Sequence, residues 1–528
     1  MRYHLILRMA LSLAAGLGAA HCAASDASSE IAGAYATGGS TPDDGGGVTV
    51  ISEQRPDASA QPGASVTPDL GARLDASVQP DVGMQPGSKS TPDAGATPTS
   101  PQIDGSTSPS GVPDASTSPG TPTMMTPPPS TPVMQIIDPK YVNLAVPLGA
   151  PLDPSKGDAH PLANYKPPAG WTWYNIDGAK CRDGSQDGVM VHWAPTKSTK
   201  LLLFFEGGGA CTNAGFCALN PVNVSQTFLS GGESALTSLV LLNQAQAPSG
   251  DGIFALTNND NPYKDWNMVY IPYCTGDVHF GAAPQGKIDG VTDPQMFVGA
   301  KNTQLIIARV AATFADTNRF IAAGSSAGGY GAGLNFGLIQ DTFGAKAYGS
   351  AILDASPPFS NEYSPACVQK HWRESWNLDA NLPSDCGVQC KSADGGNLFN
   401  IVDYWRAKYP SASIALISGI HDEIIRLFFS LGNDNCANYG ADPTLLFVGT
   451  IGQTYDPDKF KAGLMDVRAR YANTNQLSTY YMDGFPNATA HQCLFRPRVY
   501  EEAAGTGLGT IASFLGKFTG GTMIQVGP

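Results

Sequence analysis

The chain has 528 residues, a formal net charge of −14 and 14% charged residues. Its length exceeds one ordinary domain, and its acidic balance excludes a nucleic-acid surface built on a basic patch. Most of the acidity is segregated: between Ser25 and Pro132 stand 12 Asp and Glu against 3 Lys and Arg, nine of the fourteen net charges.

In chain order, residues 1–24 read as an export signal. Arg2 and Arg8 supply positive charge, and Met9 to Ala20 is an apolar run too short to span a bilayer. Cys22 stands where an acylated cysteine stands in a bacterial lipoprotein, which would give a membrane tether. His21 before it departs from the small residue such a signal prefers. Cleavage near Ala24 is the favoured reading and lipidation of Cys22 the alternative. Either one places the protein outside the cell, secreted or on the outer surface. No later stretch is long and apolar enough for a transmembrane helix.

Residues 25–136 are Pro, Ser, Thr, Gly, Ala and Asp with almost no aromatics. Such a segment cannot bury enough apolar surface to offset its ordering entropy, so it reads as a disordered linker. A degenerate unit recurs at Pro56-Asp-Ala-Ser59, Leu74-Asp-Ala-Ser77, Pro92-Asp-Ala-Gly95 and Pro113-Asp-Ala-Ser116. It is too short and polar for a solenoid. A flexible tether of this size reaches roughly 60 Å.

Residues 137–528 read as one folded domain. Gly188 to Trp193 alternates like a strand, and Leu201 to Phe205 is a continuous apolar run of the kind a buried parallel strand shows. Further strands are expected at Trp266–Tyr273, around Phe320, and at Tyr348–Leu353, Ile414–Ser418 and Thr479–Met482. Helices are expected over Thr303–Phe314, after Ser326 to about Gln340, and near Gly509–Lys517. Pro357 to Asn400, with Cys367, Cys386 and Cys390, reads as an irregular insertion or cap. Strands alternating with helices predict an α/β fold with a mostly parallel sheet, of the α/β-hydrolase kind, whose ligands bind at the carboxyl ends of the strands.

At those ends stand the residues with chemistry. Gly324-x-Ser326-x-Gly328 follows a short strand and opens a small-residue helix, the arrangement of a nucleophile elbow. A serine hydroxyl needs a base, and the base needs a carboxylate to fix its tautomer. His491 is the one histidine well downstream in a late loop; His371 lies in the cap, and His421 adjoins a candidate acid. Asp422 and Asp354 both follow strands. Asp422 lies later, nearer the usual place of the acid, and is favoured; Asp354 stays the alternative, with Glu423 a weaker stand-in. Gly207-Gly208-Gly209 after the buried strand can aim backbone N–H groups at the serine, so Gly208, Gly209 and the N–H of Ala327 are the expected oxyanion donors. A glycine triplet is commonly just a flexible loop; its place between a buried strand and Cys211 argues for more.

Nine of ten cysteines lie between Cys181 and Cys493. Behind an export signal they read as disulfides, and the odd count leaves one over. Cys386 and Cys390 are closely spaced, but no second Cys/His pair stands in register for zinc. No P-loop or dinucleotide fingerprint is present, so neither metal nor cofactor is expected.

Taken together these motifs resemble the pectin acetylesterases and the related Notum carboxylesterases. The resemblance rests on Cys181-Arg-Asp-Gly-Ser185, Phe205-Glu-Gly-Gly-Gly-Ala-Cys211, Ile271-Pro-Tyr-Cys274-Thr-Gly-Asp277, Gly324-Ser-Ser-Ala-Gly-Gly329, Asp422-Glu423, and His491 with Cys493. It implies a metal-free Ser326–His491–Asp422 esterase acting on an ester-bearing substrate, with acetylated polysaccharide the first expectation. It also implies disulfides Cys181–Cys274, Cys211–Cys217 and Cys436–Cys493. The chain departs from the family where an aromatic often stands at the position of Gly209 or Ala210, and in its cap. A lipid or polyester hydrolase, and a non-catalytic glycan-binding protein on a hydrolase fold, are the competing readings.

Overall fold

The computed structural model describes residues 135–228, 248, 250–440, 455–483, 490–494, 500, 501 and 509–528. The expected export signal, Cys22 and the expected linker up to residue 134 lie outside the described residues.

One nine-stranded sheet organises the domain. Its strands are β1 (Trp171–Lys180), β2 (Gln186–His192), β3 (Lys200–Phe205), β4 (Asn267–Ile271), β7 (Arg319–Ser325), β8 (Tyr348–Asp354), β9 (Ser413–Gly419), β10 (Leu477–Met482) and β11 (Gln525–Val526). They lie in the order β1-β2-β4-β3-β7-β8-β9-β10-β11, and β5 (Ala283–Gly286) and β6 (Gln295–Phe297) form a separate pair. From β4 to β11 every neighbouring pair is parallel. The β1–β2 and β2–β4 pairs are antiparallel.

The apolar runs form strands because both faces of this sheet are covered. Along β3, Leu201, Leu203 and Phe205 enter one hydrophobic cluster while Leu202 and Phe204 enter the other. The same two-residue alternation sends Phe320 and Ala322 of β7 to one side and Ile321 and Ala323 to the other. A fully buried strand therefore shows no polar–apolar alternation in its sequence. Each fully buried Leu or Phe contributes about 1.5–3 kcal/mol relative to exposure.

Helices of eight residues or more are α1 (Gly299–Thr313), α2 (Ala327–Phe343), α3 (Ala366–Trp376), α4 (Ile401–Lys408), α5 (Glu423–Ser430), α6 (Pro457–Arg470) and α7 (Ile511–Thr519). Helix α2 starts directly behind the central strand β7. A Cβ at Gly328 would sit 2.0 Å from the Phe205 carbonyl oxygen, so only glycine lets the helix start this close to β3.

The stretch from Pro357 to Asn400, expected to be irregular, contains α3. Val368, Trp372 and Trp376, four residues apart, give that helix one apolar face, and all three are buried. Trp376 donates from Nε1 to the Cys211 carbonyl at 2.9 Å, and its own carbonyl accepts from Ala282 N–H at 2.8 Å. The cap helix is thereby fastened to the loop after β3. Charged residues between the tryptophans, Arg373 and Glu374, obscure this face when the segment is read linearly.

Candidate active site

Ser326 follows β7 with φ 57° and ψ −126°, a backbone conformation that side-chain-bearing residues rarely adopt. Holding it costs on the order of 1–3 kcal/mol, which the neighbours must offset. They do so with two hydrogen bonds: Ser326 N–H donates to the Asp354 carbonyl at 2.8 Å, and Ser356 Oγ donates to the Ser326 carbonyl at 2.7 Å. The outcome is a buried serine at the tip of the central strand, with the helix N-terminus of α2 directly behind it.

Asp422 ends the loop after β9 and caps α5. Its Oδ1 accepts from the N–H groups of Ile424 at 3.0 Å and Ile425 at 2.9 Å. That leaves Oδ2, which accepts from Nδ1 of His491 at 2.8 Å, with both side chains buried. The bond sets the histidine tautomer, because a proton on Nδ1 leaves Nε2 of the neutral ring as an acceptor. Glu423 follows Asp422 into the helix; burial, then the charge of Asp422, pushes its carboxyl up to about 7.

Asp354, the other candidate acid, sits at the end of β8 between the strands that lead to Ser326 and to Asp422. Its Oδ2 accepts from Ser325 Oγ at 2.6 Å and from the N–H groups of Cys493 at 2.7 Å and Leu494 at 3.0 Å. Burial raises its carboxyl to about 6, against the lowering effect of these donors and of His491.

The glycine triplet lies against the elbow. A Cβ at Gly207 would be 2.3 Å from the Ser325 carbonyl oxygen and 3.2 Å from Ser326 Cβ. The Gly209 carbonyl accepts from the Tyr273 hydroxyl at 3.0 Å, the Gly208 carbonyl accepts from the Asn220 amide, and the Glu206 carbonyl accepts from His279 Nε2 at 2.8 Å. With its carbonyls held in this way, the loop cannot rotate its peptide planes freely. Gly209 and Ala327 line one small cavity with Ser326; Ala210, Val278, Tyr330, Trp372, Ile425, Phe428 and Phe429 complete it. Its volume is ≈ 20 Å³, room for about one water-sized group. A larger cleft of ≈ 680 Å³, lined by Lys370, His371 and Asp394 of the cap and by Lys459 of α6 among others, shares no residue with it.

Residues 172–397, which carry the glycine loop, the elbow and the cap helix, match the Pectinacetylesterase family. Over that stretch the chain is similar to the pectin acetylesterases, and the curated relatives it resembles are Notum carboxylesterases. Among curated relatives, palmitoleoyl-protein carboxylesterase notum1 of Xenopus laevis is 30% identical over 164 residues, 30% of this chain and 30% of that protein. The human Notum carboxylesterase shows the same identity and coverage. The Drosophila melanogaster one is 26% identical over 226 residues, 39% of this chain and 31% of that protein. The aligned part thus spans less than a third of these relatives' length. A solved structure of the Wnt deacylase Notum from Drosophila superposes with a TM-score of 0.45 and 19% identity, covering 67% of this chain and 95% of that one.

Within this family frame, the cysteines need one correction. Cys181–Cys274 and Cys211–Cys217 are bonded, but Cys436 is joined to Cys367 and not to Cys493, and Cys386 is joined to Cys390. The reason is sidedness. Cys436 packs against the hydrophobic cluster on one face of the sheet, whereas Cys493 is buried in the cluster on the other. Its N–H is held by Asp354. The one group of metal-ligating residue types among the described residues is Cys181, Asp187 and Cys274, and both of its sulfurs are used in a disulfide.

Arg182 of the entry motif braces the Cys211–Cys217 loop. Its buried guanidinium donates to Gln295 Oε1 at 2.9 Å and to the carbonyls of Cys217 at 2.9 Å and Asn220 at 2.5 Å. Linear reading passed over Tyr330, Trp372, Phe428 and Phe429, the cavity walls. Trp372 reaches this cavity from the cap helix. The four-residue spacing of Val368, Trp372 and Trp376 was the available signal for it.

Proposed function

We propose that this chain is a serine carboxylic-ester hydrolase of the extracellular space that removes short acyl groups, acetyl foremost, from polysaccharide. The observation that carries the reading is the buried Asp422–His491 hydrogen bond, taken with a serine held in a strained elbow. In this reading His491 Nε2 takes the proton of Ser326 Oγ as the oxygen attacks the ester carbonyl. Asp422 stabilises the resulting imidazolium and keeps the ring oriented. The N–H groups of Gly208, Gly209 and Ala327 receive the developing oxyanion; a donor of this kind is worth about 2.7–4 kcal/mol. Collapse expels the sugar alcohol, which leaves with the proton from His491. Water, deprotonated by the same ring, then hydrolyses the acyl-serine.

Short acyl groups are favoured because the cavity beside Ser326 holds about one water-sized group, the size class of an acetyl methyl. Four disulfides among the described residues favour an oxidising, extracellular location. Among the described residues no helix is long and apolar enough to cross a membrane.

The test is a panel of 4-nitrophenyl acetate, butyrate and palmitate together with acetylated pectin, run on the wild type and on Ser326→Ala. Turnover that peaks at acetate and disappears in the variant is expected. A peak at palmitate would favour a lipid or polyester hydrolase. Glycan binding without turnover of any ester would leave a non-catalytic binding protein.

A further inference from the structure

Asp354 is a buried carboxylate with no step of its own in the reaction above. Yet it touches both halves of the site. Oδ2 takes the hydroxyl of Ser325, the residue before the nucleophile, at 2.6 Å. The same oxygen takes the N–H groups of Cys493 at 2.7 Å and Leu494 at 3.0 Å, the second and third residues after His491. Its backbone carbonyl takes the N–H of Ser326 at 2.8 Å. Strand register makes this possible: Asp354 is the sheet partner of Ser325 on one side and of Ile417, five residues before Asp422, on the other.

The histidine loop needs such a hold. Gln492, next to His491, is buried with φ 60°, a left-handed conformation uncommon for a residue with a side chain. Three donors converging on one carboxylate oxygen form charge-assisted bonds, about twice as strong as neutral ones. The other oxygen, Oδ1, has no hydrogen-bond partner among the described residues, so the group is specialised in this one clamp.

We propose that Asp354 is a positioning residue whose carboxylate locks the His491 loop onto the nucleophile elbow, keeping base and serine in register. The inference rests on the esterase reading for its kinetic consequence, but the clamp itself is a statement about the loop. Serine and base come from segments far apart in sequence, and a misplacement of about 1 Å can cost about a hundredfold in rate. Asp422 orients the ring; Asp354 holds the backbone that carries it.

The experiment compares wild type, Asp354→Asn, Asp354→Ala and Ser325→Ala in the full chain. It measures kcat and KM on 4-nitrophenyl acetate and the amide hydrogen exchange of the segment 490–494. Asp354→Ala is expected to lower kcat by about a hundredfold with KM within about threefold of wild type, and to speed exchange at Cys493 and Leu494. Asp354→Asn keeps an acceptor without the charge, so it should recover part of both losses, and Ser325→Ala should fall between wild type and Asp354→Ala. Unchanged exchange at Cys493 and Leu494 in folded Asp354→Asn and Asp354→Ala would overturn the clamp. So would a loss expressed in KM alone. If Asp354→Ala does not fold, Asp354→Asn decides alone, since unchanged exchange in it overturns the proposal. A wild type without ester turnover would sink the esterase reading while the exchange data still judge the clamp.

Discussion

Replacing Asp422 with Asn is the sharpest perturbation of the site, because it removes one charge and almost no volume. Asp422 makes two kinds of bond at once. Oδ1 caps α5 through Ile424 and Ile425, and Oδ2 accepts from His491 Nδ1 at 2.8 Å. An asparagine can present its carbonyl oxygen to the two helix N–H groups, since asparagine is as good a cap as aspartate. Its NH₂ group then faces Nδ1. A donor there selects the tautomer with the proton on Nε2, the nitrogen that accepts the serine proton in the proposed mechanism. The same exchange in a serine protease triad lowers kcat about 10⁴-fold, equivalent to about 5 kcal/mol of transition-state stabilisation. With both side chains buried, bulk water cannot readily substitute for the lost carboxylate. The variant should therefore keep its fold, with stability changed by less than about 1 kcal/mol, and lose about 10⁴-fold in kcat on 4-nitrophenyl acetate. The measurement is steady-state kinetics beside a thermal melt. A folded variant that keeps more than a tenth of wild-type kcat would refute the assignment and return Asp354 to the role of acid.

Three further outcomes follow from other parts of the structure. Trp372→Ala should open the cavity beside Ser326, moving the ester preference from acetate toward longer chains at a stability cost of about 3–5 kcal/mol; an unchanged chain-length profile in the folded variant would show that Trp372 does not limit the acyl group. Burial pushes the Glu206 carboxyl up to about 8, so the folded state binds a proton that the unfolded state has released above about 4.5. Its contribution therefore erodes stability as pH rises from about 4.5 through about 8. Glu206→Gln, which keeps an acceptor for the Tyr273 N–H, should raise the melting temperature relative to wild type more at pH 8 than at pH 5, and equal shifts at both would contradict this. Finally, peptide mapping under non-reducing conditions should recover a Cys367–Cys436 linkage and none between Cys436 and Cys493. Loss of that linkage by Cys367→Ser should cost about 2–5 kcal/mol, read from chemical denaturation.

β3, β4, β7, β8, β9 and β10 were legible as largely apolar runs because both faces of each are covered, which makes most positions hydrophobic irrespective of their neighbours. The elbow was legible for a related reason. Gly324, Ser326 and Gly328 meet a local steric requirement, and local requirements leave their mark at fixed spacing. Helix α3 was missed because polar and charged residues stand between its apolar positions in linear order, although Val368, Trp372 and Trp376 carry the period.

By itself, then, the sequence determined the sheet class, the strained serine and the set of polar residues at strand ends, since each is dictated within a few residues of chain. Which carboxylate meets His491 was a different kind of question. Asp354 and Asp422 both end strands, and only the lateral order β7-β8-β9 separates them, setting one under the backbone of the histidine loop and the other against its ring. The partner of Cys436 and the aromatic wall of the cavity were likewise decided by which face of the sheet each side chain reached. Those choices depend on segments tens to hundreds of residues apart, and only the folded chain brings them within bonding distance.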